Sequence, residues 1–149
     1  MNIIESHWRQ RQSLIEDAIY FGNDDFIELD GNPNDGYQAG IRASVATLLQ
    51  ADPDPWDDGL DVYWSVQTNN FEIFAGGTAW EAVGFVALEQ RSTGRLLWLL
   101  YLNNSEHFIK VSLQGSIVLA ISEDAPFQFE WHIPIQSPEK LTVTAIHDA

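Results

Sequence analysis

The sequence predicts an α+β fold, with two N-terminal helices packed on a curved, mostly antiparallel sheet of six to seven strands in a meander. Two observations favour it. Apolar residues recur at three- and four-residue spacing near the N-terminus, and they alternate with polar residues from Leu60 onward. The 149 residues, 45% of them hydrophobic, suit a single domain over residues 1–149.

The first predicted helix runs from Ser6 to Phe21. Ser6 is a suitable N-cap, and apolar side chains follow it at helical spacing as far as Ile19. Gly22 and the polar residues after it are a natural C-terminal stop.

The second predicted helix runs from about Asn34 to Gln50. The turn-forming segment Asp30–Gly36 leads into it, with Phe26–Leu29 before that as a short extended piece. Asp52 precedes a proline and ends the helix, because a residue in that position is forced out of the helical region.

The remaining segments alternate with period two and predict strands. Leu96–Leu102 is apolar on both faces and should be the central strand, whereas the last strand should lie at an edge. Glycines are placed where they favour bends in the sheet. The predicted strands cover residues 60–67, 82–90, 95–102, 107–113, 116–122, 127–133 and 141–146, and the short segment 71–74 is a candidate to pair back on the first of them.

The charge of the chain is strongly negative. Seven Lys and Arg against 22 Asp and Glu give a formal net charge of −15. Such a surface repels nucleic-acid phosphates and anionic lipid, so we expect neither a nucleic-acid partner nor a membrane. It favours encounter with a basic protein through long-range steering.

Motifs that carry chemistry are absent from the sequence. The chain has no cysteine, and its four histidines lack the i, i+4 spacing of a helical zinc motif. It also lacks a phosphate-binding glycine loop and the G-x-S-x-G nucleophile motif. Ser137–Lys140 matches S-x-x-K, but the accompanying S-D-N and K-T-G elements are missing. We therefore predict no metal, no cofactor and no catalytic residue, and a binding role rather than an enzyme.

The segment Asp30–Gly36 resembles the start of an EF-hand calcium loop. Its glycine falls one position late, at Gly36, and the twelfth position is Ile41 rather than a bidentate glutamate. The spacing therefore argues against an EF-hand.

The longest fully apolar run, Leu96–Leu102, has seven residues, whereas a membrane-spanning helix needs about 20. The first twelve residues contain no continuous apolar segment. We expect a soluble, cytoplasmic protein, and the sequence leaves monomer and homodimer open.

Five aspartates occur within ten positions in residues 52–61, with Trp56 among them. An exposed aromatic ring among carboxylates is typical of an interface hot spot. The alternative is that Trp56 packs back onto the sheet and the aspartates form its solvated flank. The candidate partner-binding residues are first Asp52, Asp54, Trp56, Asp57, Asp58 and Asp61, and second Asp24, Asp25 and Asp35.

In overall character the chain resembles bacterial toxin-immunity proteins, which are commonly small, cytoplasmic, cysteine-poor and acidic and often face basic nuclease toxins. The W-x-G-x-P signature of one large immunity superfamily is not present as such: the segment Trp56–Leu60 has a Trp and a Gly, but no Pro follows. The resemblance implies a non-enzymatic protein that inhibits a cognate secreted toxin. One alternative is a small-ligand enzyme or binding domain, since helices followed by a curved sheet resemble the nuclear-transport-factor-2-like shape. A second alternative is a DNA-mimic inhibitor.

Overall fold

A computed structural model describes residues 2–52, 54–80, 82–124 and 126–146. The architecture is mostly β, in three sheets of seven, four and two strands. In chain order the elements are α1 (Ile3–Arg9), β1 (Ser13–Leu14), β2 (Ala18–Phe21), β3 (Asp25–Asn32), β4 (Gly36–Ser44), α2 (Ala46–Ala51), β5 (Trp56–Asp57), β6 (Asp61–Gln67), β7 (Phe71–Gly77), β8 (Gly84–Gln90), β9 (Arg95–Leu102), β10 (Phe108–Gln114), β11 (Ile117–Asp124), β12 (Phe127–Pro134), the short 3₁₀ helix η1 (Pro138–Lys140) and β13 (Thr142–Ile146).

The seven-stranded sheet has the order β4-β3-β2-β9-β8-β7-β6, and all its neighbouring strands are antiparallel. The apolar strand β9 lies at its centre, as the sequence predicts, because both faces of β9 are buried. The sheet therefore has a core on each side.

One core lies between the seven-stranded sheet and the four-stranded meander β10-β11-β12-β13. Two buried tryptophans satisfy their indole N–H groups there. Trp98 Nε1 donates to the carbonyl of Ile135 at 3.0 Å, and Trp131 Nε1 donates to Ser122 Oγ at 2.8 Å. This packing of sheet on sheet makes the fold a β-sandwich.

The second core lies on the opposite face of the seven-stranded sheet, under α1 and the segment that carries β1, α2 and β5. Trp8 of α1 is fully buried in it and donates its indole N–H to Glu89 Oε2 at 2.7 Å. The carboxylate of Glu5, also buried, accepts the backbone N–H of Leu96 at 2.8 Å. These contacts fasten α1 to the sheet.

The predicted fold class is wrong, beginning with the helix at Ser6–Phe21. The observed helix α1 ends at Arg9, and Arg11 has a left-handed φ of 57° that turns the chain away. The apolar residues Ala18–Phe21 form strand β2 instead, buried between β3 and β9. A strand that is apolar on both faces shows no alternation, so its side chains matched the helical spacing by coincidence.

The second predicted helix, at Asn34–Gln50, is also wrong. Residues up to Ser44 form β4, which pairs with β3 as a hairpin across the turn predicted at Asp30–Gly36. Only Ala46–Ala51 is helical. Glycines at positions 36 and 40 explain the difference, because each disfavours a helix interior by about 1 kcal/mol relative to alanine.

The strands expected after Leu60 occur within a few residues of their predicted bounds, and the prediction of antiparallel pairing is confirmed. The prediction of one sheet is wrong, because β6 to β9 belong to the seven-stranded sheet and β10 to β13 form a separate sheet that packs against it. The last strand, β13, lies at an edge as expected. The alternation from Leu60 onward also predicts that Val62 and Trp64 lie on the buried face of their strand. This is wrong, since both are exposed. β6 is an edge strand, and an irregularity between these two residues disturbs the alternation.

Candidate functional site

A cleft of about 790 Å³ opens at one end of the seven-stranded sheet. Strand β7 ends there, β8 begins and β9 ends, because Gly77 pairs with Gly84 and Gly84 pairs with Leu102. We call it the Trp56–Trp80 cleft. Its described lining residues are Ile15, Trp56, Asp57, Ala79, Trp80, Ala82, Val83, Tyr101 and Asn103.

Trp56 forms part of the cleft wall and is half-buried. It packs against the second core, and its ring stacks on His7 with the centroids 3.4 Å apart and the planes 5° from parallel. His7 Nδ1 lies 2.6 Å from Gln12 Oε1, and Gln12 Nε2 donates to Asp58 Oδ1 at 2.5 Å. His7 thus covers one face of the Trp56 ring, and only the remaining surface of the ring is open to the cleft.

Asp57 is held by the central strand. The Tyr101 hydroxyl donates a short hydrogen bond to Asp57 Oδ2. Burial raises the pKa of Tyr101 well above its usual value, and the hydrogen bond to Asp57 and the negative charges of Asp57 and Asp17 raise it further. The phenol therefore stays protonated and remains a donor to the carboxylate.

Trp80 lies in the loop between β7 and β8, and 72% of it is exposed. Its backbone is fixed: the Trp80 N–H donates to Thr78 Oγ1 at 3.1 Å, and the Trp80 carbonyl lies 3.0 Å from His107 Nε2. The carbonyl also accepts the Val83 N–H at 3.3 Å. A large apolar ring thus projects toward solvent from a residue whose backbone is hydrogen-bonded.

Asn103, just after β9, completes the polar part of the lining. Asp17 Oδ1 accepts the Asn103 N–H at 2.7 Å and the Asn103 side-chain amide at 3.0 Å, and the same amide donates to the Ile15 carbonyl at 2.7 Å. A second carboxylate, that of Asp17, therefore lies next to the cleft.

The structure places only one of the aspartates around Trp56 in the cleft lining. Asp57 lines the cleft, whereas Asp54, Asp58 and Asp61 are exposed outside it. Asp52 is half-exposed, and its Oδ1 accepts the Asp54 N–H at 3.0 Å. Trp56 packs on the core and also lines the cleft, and its role as an interface contact stays a prediction.

The second group of predicted contacts lies elsewhere. Asp24 accepts the backbone N–H groups of Ile3 at 3.1 Å and Ile4 at 2.9 Å, and so caps α1. Asp25 pairs with Arg42 at 3.0 Å across the β3–β4 hairpin. These two aspartates follow the end of β2 that is remote from the cleft, since Phe21 pairs with Trp98 and Ala18 with Tyr101.

Asp35 lies in the β3–β4 turn, where its Oδ2 accepts the side-chain amide of Asn32 at 3.0 Å. Asn32 Oδ1 accepts the backbone N–H groups of Asn34 and Asp35, both at 2.9 Å. The resemblance of this segment to a calcium loop thus reflects the polar side chains that close a hairpin turn. In the parts of the chain that the structure describes, no three His, Asp or Glu side chains form a group that could hold a metal ion.

Sequence reasoning missed Trp80, Tyr101 and Asn103. Trp80 carried a usable signal, because it stands in a short non-alternating segment after two glycines, where a large aromatic is unusual. Tyr101 ends an apolar strand and is indistinguishable from a core residue in sequence.

No family model, curated protein or solved structure matches the chain. Within the described residues, no helix has the length and apolar character needed to cross a membrane.

Proposed function

We propose that the chain is a non-enzymatic acidic binding protein that neutralises a basic partner protein, and specifically an immunity protein that inhibits a cognate secreted bacterial toxin. The observation that carries this proposal is that the exposed ring of Trp80 and the carboxylate of Asp57 line the same cleft. The immunity role follows from this binding character and from the resemblance in size, charge and cysteine content.

An aromatic surface continues from the cleft toward the edge strand β6. The Tyr63 ring lies 5.4 Å from the His107 ring, and His107 contacts the Trp80 carbonyl. Tyr63 and the neighbouring Trp64 are nearly half exposed. Tryptophan and tyrosine are enriched in interfaces and supply most of their hot spots. These rings are therefore the proposed anchors.

Carboxylates border the same surface. Asp61 begins β6 opposite Gly77 at the cleft end of the sheet, and Asp58 is exposed beside Trp56. With a net charge of −15, the field of the whole protein draws a basic partner toward this end. Charge at the rim acts chiefly on the association rate, and buried aromatic anchors act chiefly on dissociation.

A small-ligand binding domain is the second candidate, favoured by the cleft itself. Its volume of about 790 Å³ lies inside the range of about 300–1,000 Å³ usual for ligand sites, and it has polar lining at Asp57 and Asn103. The nuclear-transport-factor-2-like shape gives this candidate no support, because the two helices before the sheet on which that resemblance rested are largely strands.

Affinity capture from the native host lysate tests the main proposal. The immobilised protein is loaded at low salt and washed at high salt, and retained proteins are identified by mass spectrometry. We expect one basic protein, lost with the variant D54N/D57N/D58N/D61N. The matched control E28Q/D30N/E123Q/D124N removes the same number of charges from exposed positions on β3 and β11 and should retain it.

Two further readouts use the captured partner. Its association rate should fall by about tenfold or more between low and physiological ionic strength. Trp80→Ala should speed dissociation with little change in association. Equal loss of the partner with both charge variants contradicts the acidic cleft end as the docking surface. Retention of no basic protein contradicts the proposal and favours the small-ligand candidate.

A further inference from the structure

We propose that the Trp56–Trp80 cleft binds an arginine side chain of the basic partner, with the guanidinium paired to Asp57 and lying against the tryptophan rings. This inference rests on the proposed function, since it names the chemistry by which the partner is recognised.

The cleft is negative, and no cation among its described lining residues neutralises it. Asp57 is the one charged side chain in that lining, and Asp17 adds a second carboxylate behind Asn103. The chain's arginines are engaged elsewhere: their partners are the carbonyls of Gly94, Trp8 and Thr68 and the carboxylates of Asp25 and Glu5. A cation that pairs with Asp57 must therefore come from another molecule.

The geometry of Asp57 leaves room for that cation. Tyr101 occupies Oδ2, and Oδ1 has no hydrogen-bond partner among the described residues. A carboxylate offers about four acceptor positions over its two oxygens, so one bond from a phenol does not saturate it. The Tyr101 bond fixes the orientation of the carboxylate before a ligand arrives, which reduces the entropy lost on binding.

The tryptophan rings supply the second half of an arginine site. A guanidinium within about 6 Å of a Trp face is attracted by the ring quadrupole. The chain uses the same contact internally: the Arg11 guanidinium carbon lies 4.2 Å from the Trp8 ring centroid, and that of Arg42 lies 3.9 Å from the Phe21 centroid. Trp80 is exposed and its backbone is hydrogen-bonded, so its ring is available for such a contact.

Arginine fits this arrangement better than lysine. Its guanidinium is planar, carries five donors and is more weakly hydrated than an ammonium, so it stacks on a ring and pairs with a carboxylate at the same time. The cleft volume of about 790 Å³ also leaves space for the peptide on either side of the arginine. A neutral sugar would use the aromatic rings and Asp57 as well, but it would gain nothing from the charge.

The test is a titration followed by the indole N–H signals in two-dimensional NMR. The probes are end-blocked pentapeptides Gly-Gly-X-Gly-Gly in which X is arginine, lysine or citrulline, the last being a neutral isostere of arginine. A neutral disaccharide is the fourth probe. Trp56→Phe and Trp80→Phe assign the two cleft signals among those of the six tryptophans.

We expect the arginine peptide to move the Trp56 and Trp80 signals and to bind more tightly than the other three probes. Asp57→Asn should weaken its binding by about tenfold or more, because a charge-assisted hydrogen bond is lost. Asp30→Asn removes the same charge from an exposed position on β3 and should weaken binding by less than about threefold. Trp80→Ala should also weaken it, whereas Phe127→Ala, at an exposed position on β12, should not.

Four results would overturn the inference: citrulline or lysine binding as tightly as arginine, equal effects of the two aspartate variants, a response to the disaccharide alone, or no movement of the cleft signals. The same experiments distinguish failure of this inference from failure of the proposed function. Retention of a basic partner without a response to the arginine peptide overturns only the cleft assignment. A response to the peptide with no retained partner overturns the proposed function and leaves an arginine-binding cleft.

Discussion

The Tyr101 hydroxyl donates a hydrogen bond to Asp57 across 44 positions of sequence. Tyr101 belongs to the central strand of the larger sheet and is buried, whereas Asp57 belongs to the two-residue strand β5 on the sheet's outer side. The bond therefore fixes a candidate binding carboxylate to the central strand of the larger sheet.

Replacing Tyr101 with Phe should lower the free energy of unfolding by about 1 kcal/mol, since one hydrogen bond is lost and Asp57 regains water from the open cleft. Urea denaturation followed by circular dichroism measures the change. Tyr63→Phe is the control, because the Tyr63 ring is partly exposed and its hydroxyl makes no hydrogen bond with the described residues. It should change stability by less than about 0.5 kcal/mol. Equal effects of the two substitutions would contradict a structural role for the Tyr101–Asp57 bond.

The buried carboxylate of Glu5 should make stability depend on acid pH. Burial alone would raise the pKa of Glu5, but the Leu96 N–H bond and the Arg95 guanidinium outweigh it and hold the pKa below its usual value. A lowered pKa means that the stabilisation is complete above the unfolded-state value of about 4.3 and is lost as pH falls through the folded-state value.

We expect Glu5→Gln to destabilise the protein by about 1–3 kcal/mol at neutral pH, because a hydrogen-bonded buried charge is removed. The difference from wild type should shrink as pH falls below about 4. Urea midpoints measured at several pH values between neutral and acid follow it, with Glu28→Gln on the exposed face of β3 as the control. A difference that stays constant into acid would rule out the linkage.

Three tyrosines should resist ionisation in the folded protein. Burial is the main cause that raises the pKa of Tyr20, Tyr37 and Tyr101, and neighbouring acidic groups add to it. Because the folded-state pKa values lie above the unfolded value of about 10, this stabilisation is complete below that pH and is lost as pH rises.

As the pH is raised, the absorbance of their phenolates near 295 nm should therefore appear only when the protein unfolds, together with the loss of the circular dichroism signal. In denaturant the same tyrosines should titrate near pH 10. Tyr101→Phe should remove one phenolate from the cooperative step. Ionisation of these tyrosines well before unfolding would contradict their burial.

The sequence predicted the sandwich strands better than the first third of the chain. From Leu60 onward, alternation in most segments and one continuous apolar run at Leu96–Leu102 locate the strands. Strand β2 is buried on both faces, and β4 lies at an edge with Ile41 88% exposed, so neither shows a two-residue period. The apolar residues of both strands also fit a helical spacing, and that spacing does not show which strands they pair with.

The cleft was half predictable for a similar reason. Trp56 and Asp57 stand out because local composition marks them. Tyr101 and Asn103 reach the cleft only because β9 pairs with β2 and β8, and such long-range pairing leaves no local trace. Asp24 shows the converse, since its acidity suggested a partner contact and its carboxylate is occupied by α1.

The capping role of Asp24 gives the last prediction. Asp24 has a left-handed φ of 71°, which asparagine and aspartate tolerate better than alanine. Asp24→Ala should therefore lose both the two N–H bonds to α1 and a suitable backbone conformation, at a cost of about 1–2 kcal/mol. Asp24→Asn should cost less, because asparagine keeps one acceptor and the backbone preference.

Asp25→Asn is the matched control, since Asp25 makes only an exposed ion pair with Arg42 and should contribute less than about 1 kcal/mol. Urea denaturation gives the stabilities, and partner capture gives the binding of each variant. If Asp24 acts through α1, Asp24→Ala loses stability and keeps the partner. Unchanged stability with loss of the partner would make Asp24 the contact residue that its acidity suggested.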